Sequence, residues 1–375
     1  MTAPARADVI LVGGGVISCA TAYFLAKEGL RPLIVEREAI GFGASGAAAG
    51  LLSPLADLRG EGPTTELGLV SLPLHRELAQ TLPAESGIDY HFAEIPVLRP
   101  AFNDEEERDL REAVLCQQAL GLDVSWADQD GLLQVDEGLV PEAQGALHSR
   151  VEAQVDPYRF VLALTAAVEK MGGAVHYAAA VGLQAKGGRA TRVRLADAAT
   201  LEADNIVLAM GPWTPQAEAW TGLSIPVEPL KGQLMRLQVL QGPLPAAAVF
   251  WGKHYLLPKP AGYILAGTTE ELVGFDTQPT AEAREAILES ALRFMPALED
   301  AVITEHTACL RPLAADQVPI IGPAPGWDRL FIATGHGRKG ILHSVATGRI
   351  MADLILRGQT DVVEIAPFSP ARWGG

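Results

Sequence analysis

An α/β fold is predicted for this chain of 375 residues, on three observations. A short β-branched run leads into a glycine turn, a helix and a second strand over residues 8–38. A second strand–glycine–helix unit, "DRLFIATGHGRKGILHSVATGRIMADLILRG", closes the chain. Between them, over 225–275, short strands are separated by Pro and Gly, as in an antiparallel sheet.

The first run, "DVILV" at 8–12, is short and apolar, suited to a buried parallel strand. Gly13, Gly14 and Gly15 permit a tight turn and let the backbone approach a pyrophosphate. Val16 to Glu28 favour helix, with Gly29 as the stop. The N-terminus of such a helix offers free N–H groups and a positive dipole end to phosphates. A dinucleotide turn wants G-x-G-x-x-G. Here the third position is Ser18, nearly as small, whose hydroxyl is expected to bond back to a carbonyl one turn earlier. The second strand, "PLIVERE", reaches Glu36 about twenty residues past the turn, where an acid takes ribose hydroxyls. A carboxylate there repels a 2′-phosphate, which disfavours NADP. The alternative is a turn that needs glycine only for packing.

Next comes "GFGASGAAAGLLSP", residues 41–54. Tiny residues there suggest backbone lying against a large flat ligand. A flavin enzyme needs that at this position; an NAD enzyme does not.

Residues 75–150 are more polar. "NDEEERDLREAVLCQQALG" reads as a helix capped by Asn103, its acids on a solvated face. "VDPYRFVLALTAAVEKMGGAVHY" reads as a helix feeding a strand. "RATRVRLADAATLEADNIVLAMGPW" reads as a polar strand pair, the buried strand "NIVLAM", and then Gly211. "IPVEPLKGQLMRLQV", "HYLLPKP" and "GYILAGTTEE" are the short strands of the antiparallel region, and 280–295 form a helix. The closing unit is a buried strand, a glycine-rich turn and a helix ending at Gly358. Its helix N-terminus is placed to face the other half of the same cofactor. A dipole there favours the negative charge of a reduced isoalloxazine.

The net charge of −16, with 49% apolar and 20% charged residues, describes a globular protein and argues against nucleic acid or an anionic membrane surface as partner. Cys19, Cys116 and Cys309 are not spaced as a metal or redox pair, and the histidines are scattered, so no metal is expected. Sparse cysteine fits a reducing compartment. The N-terminus lacks the form of a signal peptide, and no apolar run reaches the ~18 residues a membrane span requires. A cytoplasmic location is expected.

The stretches "GGGVIS…YFLAKEG", "IVERE", "GASGAAAGLLSP", "NIVLAMGPW", "CLRPLAADQVPIIGPAP" and "GHGRKGI…ATGRIMADLI" resemble the FAD-dependent amine oxidoreductases of the D-amino-acid oxidase type. Within them the chain is most similar to the glycine oxidases of thiamine biosynthesis. The resemblance implies a Rossmann-type FAD-binding domain made of residues 1–85, 146–222 and 303–375. Residues 86–145 and 223–302 would form an inserted antiparallel-sheet substrate domain. With Gly13, Gly15 and Gly211, the implied FAD contacts are Val16, Ile17, Glu36, Arg37, Ala44, Ser45, Ala49, Gly50 and Leu51. Val181 would touch the adenine side. His336, Gly337, Arg338, Lys339, Gly340, Ile341 and Leu342 would wrap the flavin ring.

The resemblance also places a substrate carboxylate on Arg311, in "CLRP". A guanidinium in an apolar run must be paired if buried, and its fork fits a carboxylate. The alternative is an ion pair with a neighbour such as Asp316. Tyr255 and Leu51 would line the substrate pocket, and Arg338 would be a second pocket arginine. Core packing is the alternative for Tyr255, and a solvated position beside Lys339 the alternative for Arg338. Three positions depart from the relatives. They are Ser18; Gly337, where a bulky residue is usual and whose absence opens the pocket roof; and Cys309, where glycine is usual. In related sarcosine oxidases a cysteine near that place carries flavin covalently; here FAD is expected to be non-covalent.

The implied activity is oxidation of a small amino acid: glycine, sarcosine or a small D-amino acid. Hydride passes to flavin N5 without a side-chain base, and O₂ takes the electrons to give peroxide. A homo-oligomer is left open. The alternatives are a flavoprotein dehydrogenase subunit acting on proline-like or opine substrates in a hetero-complex, an NAD-dependent dehydrogenase, and a non-catalytic flavin-binding protein.

Overall fold

The computed structural model describes residues 6–55 and 62–374; residues 1–5, 56–61 and 375, which fall in the expected FAD-domain segments, lie outside it. The first strand, Arg6–Val12, runs parallel to Pro32–Glu36 on one side and to Thr200–Leu208 on the other. Ala174–Tyr177 extends the sheet beyond Pro32–Glu36, and Leu330–Thr334 pairs in parallel with Thr200–Leu208. From Val9 to Val12 the strand is apolar and buried because it is covered on both faces. Val9 and Leu11 enter the core under the helices, whereas Ile10 and Val12 enter the core on the opposite side.

The polar stretch before "NIVLAM" forms Ala180–Lys186 and Arg189–Leu195, which pair antiparallel. Thr200–Leu208 continues that meander through its polar first half, then becomes the buried parallel neighbour of the first strand. One strand therefore joins the two halves of the predicted segment.

Val16–Lys27, Pro63–Ser86, Pro157–Lys170 and Gly340–Arg357 form the helical layer. The terminal units of the chain meet here. A Cβ on Gly348 would stand 2.7 Å from the Ala20 carbonyl carbon, so a glycine lets the last helix lie directly on the first. The long helix Pro63–Ser86 is not evident in the sequence, because Pro73 and Pro83 oppose it. Tertiary contacts hold it. Ser71 Oγ donates to Leu342 O, and His75 Nε2 donates to Ile341 O and Leu342 O.

The second sheet has eight strands, in the order Val302–Ala314, Val227–Gln238, Tyr263–Gly267, His254–Lys259, Ala248–Trp251, Val97–Ala101, Gly145–Ser149 and Val124–Asp128. It is antiparallel as expected, except where Ala248–Trp251 runs parallel to Val97–Ala101. The expected boundaries at 145/146 and 302/303 fall inside two of these strands, Gly145–Ser149 and Val302–Ala314. Val302–Ala314 belongs to this sheet because it pairs along its length with Val227–Gln238. A small sheet of Leu51–Leu52, Ala153–Gln154 and Ala93–Glu94 stitches the two units together. Beside it the buried pair Arg99–Glu152 shares Ser53 as a hydrogen-bond partner. Among the described residues no helix is long and apolar enough to cross a membrane.

Candidate active site

A cavity of about 500 Å³ opens between the glycine turns of the first sheet and one face of the second. Every residue named above as a cofactor or substrate contact lines it.

At the N-terminal turn Gly13 has φ +109°, and a Cβ there would stand 2.4 Å from Ala209 O; only glycine fits. Gly14 N donates to Glu36 Oε2 at 2.5 Å, and Glu38 N donates to Glu36 Oε1 at 2.8 Å. The carboxylate is thus fixed at the strand end, against the cavity. A Cβ on Gly15 would meet only Ser45 Oγ, at 3.2 Å, so this glycine faces open cavity. Val16 N donates to Ser45 Oγ at 2.9 Å, which ties the 41–50 loop to the helix start.

The Ser18 hydroxyl does not make its expected bond. It is buried and finds no partner among the described residues. The carbonyl four residues back, Gly14 O, already accepts Gly41 N at 2.9 Å. Serine is tolerated here for its size alone.

The run of tiny residues serves two ends. Ala44, Ala47, Ala48 and Ala49 line the cavity. Gly46 and Gly50 instead meet the chain itself, where a Cβ would stand 2.4 Å from Gly41 O and 2.2 Å from Val155 O. The loop is held from below by Lys259, whose Nζ donates to Ala49 O at 3.0 Å and Val155 O at 2.8 Å. This lysine is 2% exposed, and burial pulls its pKa down to about 8.

At the C-terminal turn neither Lys339, the N-cap residue, nor Gly15 at the first helix supplies a side-chain cap. Both helix starts border the cavity, where backbone N–H groups and dipole ends favour anionic ligand atoms. His336, His343 and His75 are buried around the last helix. His336 Nε2 lies 3.0 Å from Thr347 Oγ1, and His343 Nε2 donates to Thr64 O at 3.0 Å. Burial lowers His336 to about 3 and His75 to about 4, and it lowers His343 as well, so all three are neutral at pH 7. Gly337 has φ +52°, a conformation a bulky residue there would strain.

The second sheet supplies the other wall. Arg311 Nη2 donates to Thr268 Oγ1 at 2.8 Å and Nη1 to Thr269 O at 3.2 Å. Room for its guanidinium exists because Gly232 has no side chain: a Cβ there would stand 2.2 Å from Nη2. Gly267 does the same for Tyr255, whose Oη would be 2.5 Å away. Asp316 is not the partner of Arg311, because it pairs with Arg372 at 2.8 Å. Among the described residues no carboxylate pairs with Arg311. Tyr255 is buried, which raises its phenol, and its ring stacks on Phe250. Cys309 faces Gly232 across the strand pair; burial raises its thiol, and Arg311 opposes that weakly. Arg338 is not simply solvated: it pairs with Glu270. Arg37 lies 4.2 Å over the Trp213 ring, which stacks on Phe275.

Gly232, Lys259, Trp213 and Glu270 complete the site and are not evident from sequence. Gly232 left a signal, a glycine inside a strand pattern, which marks close approach. The other three left none, because their partners are distant in the chain.

Residues 8–354 match the FAD dependent oxidoreductase (DAO) family. The chain is 32% identical to the glycine oxidase of Pseudomonas putida over 365 residues, covering 97% of this chain and 98% of the relative. It is 30% identical to the hydrogen cyanide synthase subunit HcnC of Pseudomonas aeruginosa over 408 residues, covering 98% and 96%. The crystal structure of glycine oxidase from Geobacillus kaustophilus superposes with a TM-score of 0.93 at 31% identity, over 99% of this chain and 100% of that one.

Proposed function

This chain belongs to the FAD dependent oxidoreductase family and is an enzyme of the glycine oxidase type; from that premise we propose that it oxidatively deaminates a small amino acid. The substrate class is glycine, sarcosine or a small D-amino acid, with its carboxylate on Arg311. One observation carries this reading: a guanidinium in the cavity wall, held by a hydroxyl and a carbonyl, with no carboxylate of its own among the described residues. A fork so placed is complementary to an incoming carboxylate.

The residues present suit FAD. Gly13 allows the tight turn against Ala209, Gly15 leaves the path of a pyrophosphate open, the start of Val16–Lys27 would receive its charge, and Glu36 stands where ribose hydroxyls would be met. The turn His336–Leu342 would hold the ring system, with the uncapped helix start behind it. When bound, FAD supplies the hydride acceptor at its N5. Arg311 fixes the substrate's orientation, so that the α-carbon is presented to the cofactor rather than left to tumble. Leu51, Leu234, Phe250 and Tyr255 make the neighbouring wall largely apolar, which favours a neutral amine over an ammonium. Water hydrolyses the imino acid product to a 2-oxo acid and ammonia, or methylamine when the substrate is sarcosine, and O₂ is reduced to hydrogen peroxide. A non-covalent cofactor is the reading we propose: attack on flavin needs a thiolate, and burial raises the Cys309 thiol, which disfavours that form.

The experiment is an anaerobic titration of the yellow protein with paired amines that differ by one carboxylate, sarcosine and dimethylamine. Bleaching by sarcosine alone is expected. Bleaching by neither, nor by glycine or D-alanine, overturns the reading.

A second reading is an electron-transferring subunit of a hetero-complex. Leu272, Val273 and Phe275 are exposed together in one loop near the cavity, and one relative is itself described as a subunit. Mixing the reduced protein with O₂ separates the two: rapid reoxidation favours the oxidase, persistent reduction the subunit.

A further inference from the structure

Of the three arginines that line the cavity, Arg37 stacks on Trp213, and Arg311 and Arg338 are both anchored on one turn. Arg311 donates to Thr268 and Thr269; Arg338 pairs with the next residue, Glu270. Their surroundings differ. Arg311 has no carboxylate partner among the described residues, whereas Arg338 is already neutralised. Glu270 is the more buried partner, at 21% exposure against 61% for Arg338, so the acid is rooted in the site and the arginine reaches in from the open side.

Resting on the amino-acid reading of Arg311, we propose that Glu270 determines substrate charge. By occupying Arg338 it leaves Arg311 as the one guanidinium on this turn without a carboxylate, matched to monocarboxylic substrates. A substrate with a second carboxylate meets Glu270 as a like charge and finds Arg338 already engaged. Discrimination of this kind combines an attractive element with a repulsive one. Removing the Glu270 carboxylate reverses both terms: the repulsion disappears and a second fork becomes available. Glu270 thus acts on specificity through Arg338, without being required for hydride transfer.

The test uses holoenzyme and two ligand pairs that differ by one carboxylate. Propionate and succinate are read as dissociation constants from the perturbed flavin spectrum. Sarcosine and iminodiacetate are read as kcat/KM. For Glu270→Ala, the preference for succinate over propionate should rise by about tenfold or more, since a charge-assisted contact replaces a repulsion. The iminodiacetate-to-sarcosine ratio should rise in parallel. Glu270→Gln should shift both ratios in the same direction. The double variant Glu270→Ala/Arg338→Ala should lose the part of the gain that the freed Arg338 fork supplies, which a general loosening of the pocket would not do. Unchanged ratios in both single variants, with wild-type protein still responding to propionate and sarcosine, overturn this inference alone. A gain undiminished in the double variant also overturns it. A wild-type protein silent to all four ligands overturns the amino-acid reading, and this inference with it.

Discussion

Replacing Gly232 with alanine isolates the carboxylate anchor from the rest of the fold. The added Cβ would stand 2.2 Å from Arg311 Nη2, 2.3 Å from Cζ and 2.4 Å from Nη1. Ordinary van der Waals contact between such atoms is about 3.5–4.0 Å, so the guanidinium must retreat by roughly 1.5 Å. The atoms that move are the far end of a flexible side chain, not backbone. The folding cost should be small, and alanine's lower unfolded-state entropy offsets part of it, by about 0.4–1 kcal/mol. Function should suffer more. The retreat breaks the bonds to Thr268 Oγ1 and Thr269 O, now 2.8 and 3.2 Å long, that aim the fork. A misplacement on the order of 1 Å can lower rate by ~10²-fold, and losing a charge-assisted hydrogen bond is worth roughly 1.5–3 kcal/mol. The assay is sarcosine kcat/KM, with flavin content and Tm measured on the same sample. The expected outcome is a fall of at least about tenfold, with full flavin content and a nearly unchanged Tm. Wild-type kinetics in a variant with full flavin content would refute the placement of the carboxylate.

Gly15→Val should yield a folded but colourless protein, because its side chain projects past Ser45 into the cavity; flavin absorbance per protein and far-UV circular dichroism check it. Acid denaturation should release the yellow colour into the supernatant, whereas an intact mass raised by one FAD would place it on Cys309. Stability should fall with acid. His75 and His336, lowered to about 4 and about 3 from 6.5, stay neutral in the fold while the unfolded chain takes up protons. Their contribution is therefore complete above about pH 6.5 and is lost progressively towards pH 4, each unit of difference being worth ~1.4 kcal/mol. His75→Gln, which can still donate to Ile341 O and Leu342 O, should show a smaller drop in Tm between pH 7 and 4.5 than wild type.

What the sequence made legible was what local spacing controls. Gly13, Gly15 and Glu36 lie within one strand–helix–strand unit, so their convergence follows from the period of those elements. Arg311 stood out as a cation in an apolar run, whereas Tyr255 came only from the family resemblance. The rest depended on partners far along the chain. Val97–Ala101 carries Arg99 and Pro100 yet is wholly buried, because Glu152 neutralises the arginine. Pro63–Ser86 keeps two prolines in a helix because the last helix grips it through Ser71 and His75. Glu270 carries no signal in the sequence, because only the fold brings Arg338 to it, 68 residues away. The Ser18 expectation failed because the carbonyl it needed was taken by a loop 23 residues later, at Gly41.

The most direct measurement is the concentration dependence of anaerobic flavin reduction by sarcosine, in wild type and in Arg311→Met, by stopped-flow absorbance. The expected result is an apparent dissociation constant weakened by about ten- to a hundredfold in the variant, with a lower limiting rate. Arg311→Lys should recover only part of it, since a point charge does not reproduce the fork. Flavin content should be the same in all three proteins. An Arg311→Met variant that binds and oxidises sarcosine as wild type does would contradict the assignment of this cavity to an amino-acid carboxylate.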